Sequence, residues 1–279
     1  MAKIVAALGM SHLLLNADET ESERRSVFDG NKEVGECVRR AKPDVLLIIA
    51  GDHKFNDTPG RGVATADTYT PCGDLGNPQT PYKGHPEFAS QLIDYCGDNG
   101  FALEAIDESF RPDHSFSIPI MFATPNHSIP VVQMVILVDD VPQPSESYAY
   151  GDIVREFIEK HRPKDERVAV IASGGLSHWV FIEDPLLEFE PDPNATSPGV
   201  NETFDREVLS RFEEGDVKRL AAEWTNDQLL EQAGNGALEL CYWFVMAGML
   251  PENKGRTIYY EPLSAWGTGM GAIEIFADA

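Results

Sequence analysis

KIVAALGMSH, running from Lys3 to His12, is the stretch on which the fold turns. An apolar run, Lys3 to Leu8, breaks into Gly9-Met10-Ser11 and delivers a histidine. The same grammar recurs twice. Val45 to Ala50 runs into Gly51-Asp52-His53, and Val168 to Ser173 runs into Gly174-Gly175-Leu176-Ser177-His178. Short runs rich in Val, Ile and Leu read as strands buried on both faces. In open α/β sheets, ligands sit beyond the carboxyl ends of parallel strands. Three imidazoles are therefore expected at one sheet edge, as ligands, acids or bases.

Outward from these runs, strand one leads to a helical stretch at Glu21 to Ala41, with Asp18, Thr20 or Ser22 as N-cap. Pro43 breaks the chain before strand two, giving a βαβ unit. Lys54 to Pro86 is rich in Gly, Pro, Asp and Thr. Such a stretch is functional or hides short strands. A helix from Glu87 to Asn99, a strand at Ala102 to Ile106, the segment Pro112 to Pro119 and a strand at Val131 to Val138 follow. Next come a helix near Tyr150 to His161, a second irregular stretch at Glu183 to Val200, and a charged helical region from Asn201 to Gln232. A helix from Gly236 to Ala247 has Gly248 as its cap and Pro251 as its stop. Ile258 to Glu261 and Ala272 to Phe276 read as closing strands. No repeat or compositional shift divides the chain. The expectation is one α/β domain over 1–279, with a mostly buried central sheet, helices on both faces and the active site at one sheet edge.

The 279 residues include 46 acidic and 22 basic side chains, a net charge of −24. That field repels phosphate backbones and anionic membranes, so neither nucleic acid nor membrane is an expected partner. Cys37, Cys72, Cys96 and Cys241 form no C-x-x-C pair and read as free thiols in a reducing, cytoplasmic compartment. The apolar N-terminus is short and interrupted by His12, so a strand is expected there rather than a signal peptide. The sequon Asn194-Ala195-Thr196 is expected to be idle.

Between Glu231 and Glu252 the sequence has one charged residue, Glu239, among Leu238, Leu240, Cys241, Tyr242, Trp243, Phe244, Val245 and Met246. A helix apolar all round is buried. A carboxylate inside it is costly unless paired or bound to a cation. Set beside the strand-end histidines, it reads as a metal ligand. Two imidazoles and a carboxylate suit non-heme Fe(II), and Zn²⁺ accepts the same donors. The residue types alone leave both open.

The ordered set Gly9-Met10-Ser11-His12, Gly51-Asp52-His53, Lys83-Gly84-His85-Pro86, Asp113-His114, Gly174-Gly175-Leu176-Ser177-His178 and Glu239-Leu240 with Trp243 and Leu250-Pro251-Glu252 resembles the class III extradiol ring-cleavage dioxygenases. The resemblance covers nearly the whole chain. It implies Fe(II) bound by His12, His53 and Glu239, His178 as catalytic base, and His114 as a second acid/base or substrate contact. It implies a small aromatic substrate and O2 as reactants, and either a homo-oligomer or a separate small lid subunit. His85 carries no implied role. His127 and His161 match nothing and are expected to face solvent.

A catechol must lose a proton to chelate a metal, and a histidine suits that near neutral pH. The ending Tyr259 to Ala272 is similar to the family's substrate wall, which marks Ser264 and Trp266 as substrate-binding candidates. Ser264 is placed to donate to a ring carboxylate, as in enzymes of the protocatechuate or gallate type. Ala265 where an Asn is usual, and Trp266 among glycines, resemble instead the enzymes for 3-substituted catechols. Phe55, Tyr69 and Tyr82 are further candidate walls, each as readily ordinary packing. Extradiol cleavage of a catechol carboxylate leads. Cleavage of 3-substituted catechols or aminophenols, a metal hydrolase and a non-catalytic binding protein are the alternatives.

Overall fold

The computed structural model describes residues 1–14, 21–53, 56–179 and 199–277. β1 (Lys3–Met10) leads through α1 (Glu21–Ala41) to β2 (Val45–Ala50). β3 (Arg61–Ala64) and a small ribbon of β4 (Thr68–Tyr69) with β5 (Tyr82–Lys83) lie in the Gly/Pro-rich stretch. Then come α2 (Pro86–Asp98), β6 (Glu104–Ile106), α3 (His114–Ala123), β7 (Val131–Ile136), α4 (Pro144–His161) and β8 (Arg167–Ser173). α5 (Glu202–Glu214), α6 (Val217–Glu223) and α7 (Asn226–Ala233) precede a 3-10 turn at Asn235–Glu239 and α8 (Leu240–Gly248). β9 (Gly255–Leu263) and β10 (Thr268–Ile275) close the chain.

Eight strands form one sheet in the order β6-β3-β7-β2-β8-β1-β10-β9. Its centre, β7-β2-β8-β1, is parallel. β3 and β10 flank that centre antiparallel. All six residues of β2 are buried, and they alternate between two cores. Val45, Leu47 and Ile49 pack toward α2 and α4 to α8. Leu46, Ile48 and Ala50 pack toward α1 and α3. Each fully buried Val, Ile or Leu contributes about 1.5–3 kcal/mol, which is why β2 carries no polar residue.

β1 and β2 are not neighbours. β8, from much later in the chain, lies between them and pairs with both, Met10 opposite Ser173 and Ile49 opposite Ala172. The three strands end together, so the turns leading to His12, His53 and His178 leave the same edge.

Several boundaries differ from the sequence reading. α4 starts six residues earlier than Tyr150, because Pro144 occupies its first turn and Glu146 accepts a hydrogen bond from the Gln143 backbone N–H at 3.0 Å. The segment at Pro112 becomes helix α3, capped by Asp113, whose carboxylate accepts from Ser115 N–H at 2.9 Å. The charged region splits into three helices. Gly215, at φ +78°, ends α5 in a left-handed turn. Glu239 stands at the junction of the 3-10 turn and α8, and Met249 rather than Gly248 caps that helix. Asp18, Thr20, Phe55 and the Asn194 sequon lie outside the described residues. The four cysteines are unpaired. Among the described residues no helix is long and apolar enough to cross a membrane.

Candidate active site

Glu239 is the hub of the strand-end histidines. Its Oε2 lies 3.8 Å from His12 Nε2 and 3.8 Å from His178 Nε2, and its Oε1 lies 3.5 Å from His53 Nε2. The backbone N–H of Gly175 donates to Oε2 at 2.9 Å. The residue is 2% exposed. Burial pushes its carboxyl up, but the surrounding imidazoles outweigh burial and hold it down to about 2. His114, the first residue of α3, completes the group. Its ring stacks on His53 at 4.3 Å and meets His12 edge-on at 5.2 Å.

Each imidazole is pinned through Nδ1, which leaves Nε2 for the site. Ser173 Oγ donates to Ser115 O at 2.6 Å, so its oxygen accepts from His12 Nδ1 at 3.1 Å. Asp113 Oδ2 accepts from both the backbone N and Nδ1 of His53, each at 2.8 Å. Asp74 accepts from His114 through both its Nδ1 and its backbone N. His178 Nδ1 donates to Leu176 O at 3.0 Å. A histidine whose second nitrogen is fixed by a carboxylate or carbonyl has its tautomer and orientation set.

Burial drives His12 down to about 3, so it is neutral near pH 7. His53 moves the other way. Burial lowers it, yet the Asp113 and Glu239 carboxylates together hold it well above the ordinary imidazole range. Asp113 is fully buried and kept ionised by His53, His114 and Ser115. Asp52, beside His53, is pushed up to about 6 by burial and by the Asp113 charge.

The donor set fits a divalent cation. Ring nitrogens of His12, His53 and His114 that could hold a metal lie within 4.8 Å of one another, and Glu239 adds an ionised carboxylate against the first two. A cation held by Glu239 and His53 would replace the proton on His53 Nε2, which lies 3.5 Å from Glu239 Oε1.

The turn that holds Ser264 and Trp266 directly precedes Thr268, which bridges to His178. Trp266 is buried in the core with Leu263 and Met270. Ser264 is exposed at the turn between β9 and β10. Tyr69 and Tyr82 are core residues, and Tyr82 O–H donates to Gln133 Oε1 at 2.7 Å. His85 caps α2, accepting from Phe88 N–H at 3.3 Å. His161 is exposed, whereas His127 is half-buried and stacks over Tyr82.

Asp74, Asp113, Ser115, Ser173 and Asp205 hold the histidines or their turns, and sequence reasoning gave none of them a role. Asp113 carried one usable signal, an acidic residue directly before a site histidine at a helix start. Asp74 and Asp205 carried none, since each meets its partner only across the fold.

The profile described as the catalytic LigB subunit of aromatic ring-opening dioxygenase matches residues 6–271. A 2,3-dihydroxyphenylpropionate/2,3-dihydroxicinnamic acid 1,2-dioxygenase of Photorhabdus laumondii is 24% identical, over 92% of this chain and 90% of its own. Gallate dioxygenase of Pseudomonas putida is 29% identical, over 67% of this chain and 53% of its own. A 4,5-DOPA dioxygenase extradiol of Mirabilis jalapa is 26% identical, over 66% of each chain. An uncharacterised Escherichia coli K12 protein of known structure shares the fold, with a TM-score of 0.62 and 18% identity, covering 98% of this chain and 100% of its own. The chain belongs to the LigB family and is an extradiol-type dioxygenase that opens the rings of catechols.

Proposed function

We propose that the enzyme works with Fe(II) held by His12, His53 and Glu239, that His178 is its base and His114 its second acid/base, and that its catechol carries a carboxylate. The observation that carries this reading is Glu239, buried and ionised, with three imidazole Nε2 atoms within 3.8 Å. When bound, Fe(II) supplies the redox chemistry that couples catechol and dioxygen. The chain's residues supply the rest. His178 Nε2 is available to take a phenolic proton, because its Nδ1 proton is committed to Leu176 O. His114, backed by Asp74, is available to return a proton through Nε2. His12 is neutral and Glu239 ionised, the states in which each can donate electron pairs to a cation.

The acidic substituent rests on the relatives, whose names specify phenylpropionate, gallate and DOPA substrates, all acids. Protocatechuate and gallate lead, with 3-substituted catechols as the alternative. The four free thiols support a cytoplasmic setting, and the whole chain over 1–279 acts as one catalytic domain, alone as a homo-oligomer or with a small lid subunit.

The compactness of His12, His53 and His114 favours a second ligand set, three imidazoles with Glu239 outside it. One experiment separates these. The protein is loaded anaerobically with Fe(II), and oxygen uptake is followed with protocatechuate, gallate, 2,3-dihydroxyphenylpropionate, DOPA, catechol and 2-aminophenol. The acids are expected to exceed catechol in kcat/KM; equality would remove the carboxylate site. His114→Ala is expected to keep its iron, and loss of iron in that variant would favour the three-imidazole set.

A further inference from the structure

We propose that Asp205 is the positioning residue for His178, acting through Ser177 to fix the turn that aims the base. This rests on the assignment of His178 as base made above. Asp205 lies on α5, is completely buried, and sits outside the histidine cluster. Its Oδ1 accepts from Ser177 N–H at 2.7 Å, and its Oδ2 accepts from Ser177 O–H at 2.8 Å and from Tyr260 O–H at 2.8 Å. All three donors are neutral. A buried carboxylate with neutral partners is an expensive way to hold a turn. A carboxylate accepts from two donors on one residue without competing donors of its own, and neither an amide nor a hydroxyl matches that.

The consequence falls on the next residue. Ser177 O also accepts from Gly269 N–H at 2.8 Å, and Ser177 Oγ accepts from Asn201 N–H at 2.9 Å. Every polar atom of Ser177 is therefore used, and its rotation is stopped. His178 N–H donates to Ala233 O at 2.9 Å, and His178 O accepts from Gly236 N–H at 3.2 Å. With Ser177 fixed on one side and Ala233 on the other, the imidazole keeps Nδ1 on Leu176 O and Nε2 on the Glu239 side. Without the carboxylate the turn can pivot, and the Nδ1 bond that sets the tautomer is the first to weaken.

The test is a double-mutant cycle on the Fe(II)-loaded protein. Asp205→Asn and Ser177→Ala are each expected to lower kcat roughly 10- to 100-fold, the usual range for a group that orients a site residue, with KM and iron content unchanged. In a His178→Ala background neither change is expected to lower kcat further. A second readout needs no turnover. In Zn(II)-loaded protein, nitrogen-15 spectra are expected to show wild-type His178 protonated on Nδ1 alone, and both tautomers in the two variants. Should Asp205→Asn fail to fold, Ser177→Ala carries both measurements. Effects that multiply fully with His178→Ala, or an undisturbed tautomer in the variants, overturn the proposal. Wild-type turnover by His178→Ala overturns the base assignment instead, and the tautomer spectra then decide the role of Asp205.

Discussion

The ring of His178 lies directly over Gly236: a Cβ at that glycine would stand 2.0 Å from Nε2. A Cβ at Gly175 would stand 2.3 Å from Cε1 of the same ring. Two glycine backbones press against the imidazole, and neither position has room for a side chain. Gly236→Ala is therefore expected to push the ring off its axis while the 3-10 turn survives. A displacement near 1 Å costs on the order of 10²-fold in rate. Steady-state kinetics with iron analysis checks this; unchanged kcat with bound iron would show that the ring has slack.

His53→Ala and His178→Ala are expected to fail differently. The first removes a metal donor, so iron content falls. The second keeps its iron and loses roughly 10²-fold or more of turnover, the usual scale of acid–base help. Equal loss of iron in both variants would make His178 a ligand.

Asp113→Asn is expected to weaken metal affinity about 10- to 100-fold. Oδ2 accepts twice from His53 and Oδ1 accepts twice from Ser115, whereas an amide keeps one acceptor oxygen and no charge. Competition with a chelator measures the change. Wild-type affinity in the variant would assign Asp113 to helix capping alone.

Asp205 offers a pH test of its cost. Burial raises its carboxyl above the ordinary Asp value, outweighing the hydrogen bonds from Ser177 and Tyr260. The folded state therefore holds the proton more tightly than the unfolded chain does. Its stabilising contribution is present below the unfolded value and is lost as pH rises through the folded one. An Asn has no such loss. The Tm of Asp205→Asn, relative to wild type, is thus expected to climb as pH rises above about 4, the unfolded Asp value. A flat difference across that range would mean the folded carboxyl is not raised.

The acidic surface predicts a salt response. With 46 acidic against 22 basic residues, like charges repel across the fold. The screening length falls from about 10 Å at 0.1 M salt to about 3 Å at 1 M. Tm is expected to rise with KCl over that range. A Tm that stays level or drops would show the charges to be balanced locally.

The strands were legible because burial on both faces forces continuous apolar runs, which few other structures produce. β2 matches the run Val45 to Ala50 residue for residue, and α1 matches Glu21 to Ala41. Parallel strands end at a common edge, so the turns after β1, β2 and β8 bring His12, His53 and His178 to one place. Glu239 showed itself as a charge where a buried helix admits none. Those inferences depend on short-range pattern and on the cost of burying charge, both written locally in the chain.

What lay beyond reach depends on contacts between distant residues. Nothing in the periodicity of β1, β2 and β8 says that β8 inserts between the other two; that order comes from how all the apolar faces are covered at once. Asp74 reaches His114 across 40 residues, Asp113 reaches His53 across 60, and Asp205 reaches Ser177 across 28. That Trp266 packs beside Leu263 and Met270 is likewise settled only by the fold. Local sequence chose which residues could do chemistry. Tertiary packing chose their partners, and through those partners the nitrogen each histidine turns toward the site.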